Sequence, residues 1–281
     1  MMMLRILILA APALILACSV PANPKAQELT PDLNEMKTGG VSFVYSTKDF
    51  AGVKIEKVKK ETELGREGGV ADGESPEHYC FHLKDKRPLP AFEKGPRYFF
   101  PTYSFICAFP LKDASVKDFS KAYSGLAVVA GNLHKLLREH PSNLKHWSKT
   151  EKIEIPDFPY EDAGQSVISR VQYLAFRSGS GILFLTQYSN EMQPNPVNNE
   201  ELTLDFQGLT KDEGYYVAAR IAITHPSLPR GIDFTDHIVR DLPHFNYLKK
   251  EEKELDGFPE DSFRPSLKSL KALLSSIYVE R

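Results

Sequence analysis

Three side chains at alternate positions, His78, Cys80 and His82, form the sharpest metal-like pattern in the chain. In an extended strand, residues two apart share a face, so an imidazole, a thiol and a second imidazole would project together. That donor set suits a borderline-soft divalent cation. The same cysteine has a simpler use. Apart from Cys18, the only cysteines are Cys80 and Cys107, and two cysteines in an oxidising compartment are expected to pair. A Cys80–Cys107 disulfide is therefore the expectation, with two buried thiols or a metal site at His78, Cys80 and His82 as alternatives. A thiol nucleophile would also need a partner base and local positive charge, which nothing in the spacing supplies.

The densest group of acids and histidines is Asp233, Asp236, His237, Asp241 and His244. Carboxylate beside imidazole can serve as a general base or bind a metal, and a hydrolase reading would rest on Asp236 and His237 with water or a metal as the reactive species. The spacing matches no defined site, and such residues in a long polar segment usually face solvent. Gly179-Ser180-Gly181 is not a nucleophile elbow, because its glycines adjoin the serine rather than standing two residues away. The HExxH, Walker-A and dinucleotide glycine patterns are absent, and the glycine-rich run from Gly65 to Ser75 lacks the lysine of a phosphate loop. No cofactor is expected.

The elements that would carry these groups centre on Ser169–Thr224, which reads as a four-strand antiparallel meander. Its strands are 170–176, 182–188, 202–207 and 215–223, and Gly179 and Gly181 are suited to the hairpin turn between the first two. In the third, Leu202, Leu204 and Phe206 alternate with Thr203, Asp205 and Gln207. Earlier strands are expected at 41–45, 53–58 (alternating apolar and charged, as at a sheet edge), 78–83 and 98–107. A helix is expected from about 118 to 139, capped by Asp118 or Ser120 and stopped by Pro141. A second is expected from about 265 to 279, opening at Pro265 with Leu267, Leu270, Leu274 and Ile277 as its apolar stripe. Residues 230–262 read as polar and irregular, with Lys249–Glu254 a solvated helix face or loop. The fold class is α+β with a mainly antiparallel sheet, and a β-sandwich with peripheral helices is the alternative.

The front of the chain carries a different kind of signal. One positive residue, Arg5, precedes an apolar run from Ile6 to Leu16 that has the length of a signal-peptide core and is too short to span a bilayer. Ile15-Leu16-Ala17-Cys18 resembles the lipobox of bacterial lipoproteins, apart from Leu16, where a small residue is commoner. The resemblance implies cleavage after residue 17, lipidation of Cys18, and location in the cell envelope. With Ser19 next, it also implies sorting to the outer membrane in a two-membrane host. An ordinary cleaved signal peptide is the alternative. Residues 18–40 then read as a flexible tether and 41–281 as one globular domain. With 35 basic and 37 acidic side chains, there is no charge excess to suggest nucleic acid.

The segments Asn198-Asn199-Glu200-Glu201-Leu202, Phe206-Gln207-Gly208-Leu209-Thr210 and Tyr215-Tyr216-Val217-Ala218-Ala219 resemble a stretch of an uncharacterised, exported bacterial protein family. That resemblance implies an exported module and brings no activity with it. The functional expectation is an envelope-anchored binding or interaction module, held at the membrane by lipid and meeting an envelope protein or a small molecule. The loop Ser189–Glu200 is its candidate contact surface. The exported hydrolase is the rival.

Overall fold

The computed structural model of the protein describes residues 32–60, 76–87, 104–112, 125–142, 144, 155–159, 164–189, 196–231 and 244–280. Seven strands build a large sheet: β3 (Phe50–Val58), β4 (His78–Asp85), β5 (Ser104–Pro110), β6 (Gly164–Phe176), β7 (Gly179–Ser189), β8 (Thr203–Thr210) and β9 (Tyr215–Ala222). Their order across the sheet is β3-β4-β5-β9-β8-β7-β6, and every pairing is antiparallel. β6 to β9 are the expected meander, each strand lying beside the next, and β3 is an edge strand as its alternation suggested.

A small second sheet joins distant parts of the chain. β1 (Leu33–Thr38) and β2 (Val41–Ser46) form a hairpin through Gly39 and Gly40, both at positive φ, and β10 (Tyr278–Val279) pairs with the other side of β2. β1 occupies part of the stretch read as a tether, so the folded unit begins before residue 41. Its polar sequence, LNEMKT, hid it. Pairing with β2 supplies what its own propensity lacks.

Both faces of the large sheet are covered, which makes the class α+β and mainly antiparallel. On one face Phe81, Ile106, Leu204, Phe206, Val217 and Ile221 share a core with Phe43 of the small sheet and with the helices α2 (His244–Gly257) and α3 (Leu267–Ser275). On the other, Cys107, Phe109, Phe184, Leu209 and Tyr216 pack against α1 (Leu126–Glu139). The Phe43–Phe81 edge contact, with centroids 5.4 Å apart, joins the two sheets. Thus the sandwich alternative describes one interface, and the helices cover the rest. Among the described residues no helix is long and apolar enough to cross a membrane.

The helices follow capping chemistry. α1 buries Leu126, Val129, Leu133 and Leu136 and ends before Pro141, with His140 left-handed at φ 46°. It begins at Leu126 after Gly125, later than the expected start near 118, and the expected caps Asp118 and Ser120 lie outside the described residues. α3 starts later than expected, because Ser266 and not Pro265 provides its start, accepting from the Ser269 amide at 3.1 Å. It buries Leu267, Leu270, Leu273 and Leu274, each contributing about 1.5–3 kcal/mol of apolar transfer. It stops at Ser275, and the chain turns at Ser276 into β10, so the expected helix to 279 is too long. Ser276 donates from Oγ to the Leu273 carbonyl at 2.6 Å and accepts the Val44 amide at 2.8 Å. One side chain thereby ends the helix and starts the return to β2.

The charge run Lys249–Glu254 belongs to α2, in a segment expected to be irregular. Lys249, Lys250, Lys253 and Glu254 face out, while Glu251 and Leu255 are buried. Arg170, at φ 53° in a bulge of β6, sends Nε to the Leu255 carbonyl (2.6 Å) and Nη2 to the carbonyls of Asp256 (3.1 Å) and Phe258. A guanidinium at a helix C-terminus satisfies orphan carbonyls and opposes the helix dipole. Gly179 and Gly181 are not turn residues after all. The turn is Arg177-Ser178, and the glycines lie in β7 where its neighbour comes close. A Cβ on Gly181 would stand 2.7 Å from Gly208 Cα, and one on Gly208 would stand 2.9 Å from the Phe206 ring.

Candidate functional site

The polar face of β8 is the chemical centre of the large sheet. Thr203, Asp205 and Gln207 alternate with apolar residues, yet all are buried, Asp205 completely. Antiparallel register explains what meets them. Asp205 stands opposite Arg220 of β9 on one side and Phe184 of β7 on the other. A carboxylate and a guanidinium directly across a ladder are within reach of each other. Arg220 donates from Nε to Asp205 Oδ2 at 2.9 Å, and from Nη2 to Asp157 Oδ1 at 3.0 Å and to the Tyr188 hydroxyl at 2.8 Å. Its guanidinium also lies over the Tyr188 ring, 4.3 Å from the centroid.

The network closes on itself. Tyr188 donates its hydroxyl to Asp205 Oδ2 at 2.8 Å, and Thr203 donates to Asp205 Oδ1 at 2.6 Å. Nearby, Tyr216 donates to Gln207 Oε1 at 2.6 Å. Burial, reinforced at Tyr188 by the Asp205 charge, pushes both phenols well above their ordinary range, so they act as neutral donors. Thr186 Oγ1 has no hydrogen-bond partner among the described residues. A fully buried carboxylate holding one guanidinium and two hydroxyls suits a rigid polar core better than a general base, which must reach a substrate proton.

The residues picked out for metal chemistry are divided. Cys80 and Cys107 face each other in register on β4 and β5, with Cα atoms 4.2 Å apart, and are joined as a disulfide. His78 lies beside them, its ring 4.2 Å from Phe109. His82 instead turns to Glu56 of β3, with Nε2 2.9 Å from Oε2 at the half-exposed edge. The disulfide is therefore the expected one, and the alternative His78–Cys80–His82 trio is not one cluster; the compact group is His78, Cys80 and Cys107.

Asp233, Asp236, His237 and Asp241 lie outside the described residues, as does Cys18. His244 opens α2. Ser180 is exposed on β7 opposite Leu209. Of the candidate contact loop, 190–195 lies outside the described residues, and the following stretch is not a free surface. Val197 and Asn198 are fully buried. Asn198 accepts the amides of Glu200 (2.9 Å) and Glu201 (3.1 Å), and its own amide donates to Gln187 at 3.0 Å. Asn199 donates to the carbonyls of His225 (3.1 Å) and Leu228 (2.9 Å) and accepts the His225 amide at 2.7 Å. Asn199 thereby fastens the loop that follows β9 to the one that precedes β8, and Asn198 ties that same loop to Gln187 of β7.

At the other end of β8 a cleft of about 270 Å³ opens between α1 and the β8–β9 turn, lined by Leu111, Ala130, Gly131, His134, Leu209 and Glu213. His134 and Glu213 close one side, with Nδ1 2.9 Å from Oε1, both half-exposed. The signal that would have found the buried network was available. Arg220 interrupts an otherwise apolar strand, and Asp205 sits at the matching place in the strand before it. No protein-family model, curated protein or solved structure matches the chain.

Proposed function

We propose that the protein is an exported binding module, tethered to the cell envelope through lipid on Cys18. The observation that carries this reading is the Cys80–Cys107 disulfide in the sheet, since such bonds persist in oxidising compartments outside the cytoplasm. It agrees with the apolar run and the lipobox-like Leu16-Ala17-Cys18. Lipid on Cys18 would hold the domain at the membrane, with two or more acyl chains needed for a stable anchor. The buried Asp205–Arg220–Tyr188 network agrees with a rigid scaffold that leaves recognition to the surface. The partner is an envelope protein or a small molecule, met by surface loops over a rigid sheet.

Two measurements test the reading. A fatty-acid analogue fed to expressing cells labels the wild type and leaves Cys18→Ser unlabelled; unlabelled wild type in the soluble fraction refutes the anchor. The purified protein is then screened for capture from envelope extracts and for turnover of peptide, ester, glycan and phosphate substrates. Capture without turnover is expected. Turnover that disappears in both Asp236→Asn and His237→Ala, with folding intact, establishes the hydrolase instead.

A further inference from the structure

The two cysteines have a neighbour that a purely structural disulfide does not need. Cys80 and His78 are two residues apart on β4 and so share a face, and Cys107 stands directly opposite Cys80 on β5. The Sγ atoms and a ring nitrogen of His78 all lie within 4.8 Å of one another, and all three residues are buried. In a zinc site with metal–sulfur bonds of about 2.3 Å, donor atoms stand roughly 4 Å apart. The ring nitrogen and both sulfurs already stand within 4.8 Å of one another, close to that spacing.

The histidine is also held by a backbone hydrogen bond of the kind that supports a ligand. Its Nδ1 lies 2.7 Å from the Pro76 carbonyl oxygen. A carbonyl can only accept, so Nδ1 carries the proton and the ring lone pair is on Nε2. A ring N–H donated to a backbone carbonyl is the usual outer-shell arrangement of a metal-binding histidine. Phe109 fixes the ring from one side, and Phe158 in turn packs edge-on against Phe109 at 4.8 Å.

We propose that in the reduced chain Cys80, Cys107 and His78 form a binding site for a divalent zinc-class cation, and that the disulfide is the alternative fate of the same thiols. Charge selects the divalent ion. Two thiolates and one neutral imidazole sum with Zn²⁺ to zero, whereas a monovalent ion would leave a net negative charge in an apolar setting. The chain is synthesised with both thiols reduced, so no reductant is required for loading. Cation binding converts two S–H groups to two sulfur–metal bonds and releases two protons. Oxidation instead forms one sulfur–sulfur bond, releasing two protons and two electrons to a disulfide oxidant, which becomes a dithiol. Either reaction consumes both sulfurs, so the two states exclude each other.

The test uses the full chain, reduced with a phosphine, stripped of metal and titrated anaerobically with Co²⁺. One equivalent should bind with thiolate-to-cobalt absorption in the near ultraviolet, and Zn²⁺ should bleach it. The same protein oxidised to the disulfide is the folded reference and should bind none. Cys80→Ser and Cys107→Ser should each abolish the absorption. His78→Ala, which keeps both thiols, should weaken binding at least tenfold, and His82→Ala should leave it unchanged. The proposal is overturned if the reduced wild type takes up no more Co²⁺ than the serine variants. It is also overturned if His78→Ala binds like the wild type, or if the oxidised protein binds equally well.

Discussion

Replacing Arg220 with methionine tests the buried network directly. Methionine keeps much of the side-chain volume and removes the guanidinium, so the change isolates its charge and hydrogen bonds. Asp205 would keep the hydroxyls of Tyr188 and Thr203 and lose its only described cation, and Asp157 would lose its ion pair. Breaking a buried pair from one side leaves a desolvated charge and costs about 3–5 kcal/mol. Domains of ordinary stability hold about 5–15 kcal/mol, so the variant should fold but with much of its margin gone. With a urea m-value of about 2–3 kcal/mol/M, the unfolding midpoint should fall by about 1–2.5 M. Asp205→Ala should cost a similar amount. Since both remove the same interaction, the double variant should be at least 2 kcal/mol more stable than two independent effects would give. A shift below about 0.3 M for Arg220→Met, or strict additivity in the cycle, would refute the account of this network as the polar core of the sheet.

Four further outcomes follow from the same reasoning. Thr186→Val removes a buried hydroxyl that has no described partner, so it should be neutral or stabilise by about 1 kcal/mol in the same urea assay; a loss above 1 kcal/mol would reveal a bond the geometry omits. Gly181→Ala forces β7 and β8 apart and should cost about 1–3 kcal/mol, whereas Gly131→Ala, with open space around it on α1, should cost nothing or stabilise. Cys80→Ala/Cys107→Ala opens a 27-residue separation and should cost about 3–4 kcal/mol in the chain-entropy picture, read as a fall in melting temperature. His225 is held neutral by burial and by the nearby Arg170 charge, which lower its pKa from 6.5. Its contribution is therefore complete above pH 6.5 and fades as pH falls through the lowered value. Its Nδ1 accepts the Ser227 amide at 3.2 Å, a bond that protonation abolishes, so a pH series of urea midpoints should flatten in His225→Asn.

Much of the scaffold was legible because its signals are local. Period-two alternation and turn residues reveal β6 to β9, and leucines at helical spacing reveal α1 and α3. What escaped depends on distant partners. β1 is too polar and β10 too short to announce itself, and each is a strand because β2 lies beside it. The alternation of β8 showed two unlike faces, but not that Arg220, Tyr188 and Asp157 would enclose the polar one. At the cysteines, spacing on one strand suggested His82 as a third ligand. The neighbouring strands decided otherwise, with Glu56 drawing His82 away and β5 bringing Cys107 in. The glycines of β7 were misassigned for the same reason, since close approach by β8 is invisible in their own segment.

The position of β2 has a consequence for the order in which the domain can assemble. It lies between a strand that precedes it immediately and one more than 230 residues later, and Ser276 bonds Val44 across a separation of 232. The β1–β2 hairpin can close early, but on its own a two-stranded hairpin is marginal. Phe43 finds its cover only once the large sheet and α3 exist. Contacts of such separation are slow to form, because loop entropy is lost before they reward it. A chain released piecemeal therefore presents an unfinished hydrophobic hairpin for most of its emergence. Its last two paired residues then act as the fastener that makes the fold cooperative, so that trimming β10 should slow refolding far more than the loss of two residue pairs would suggest.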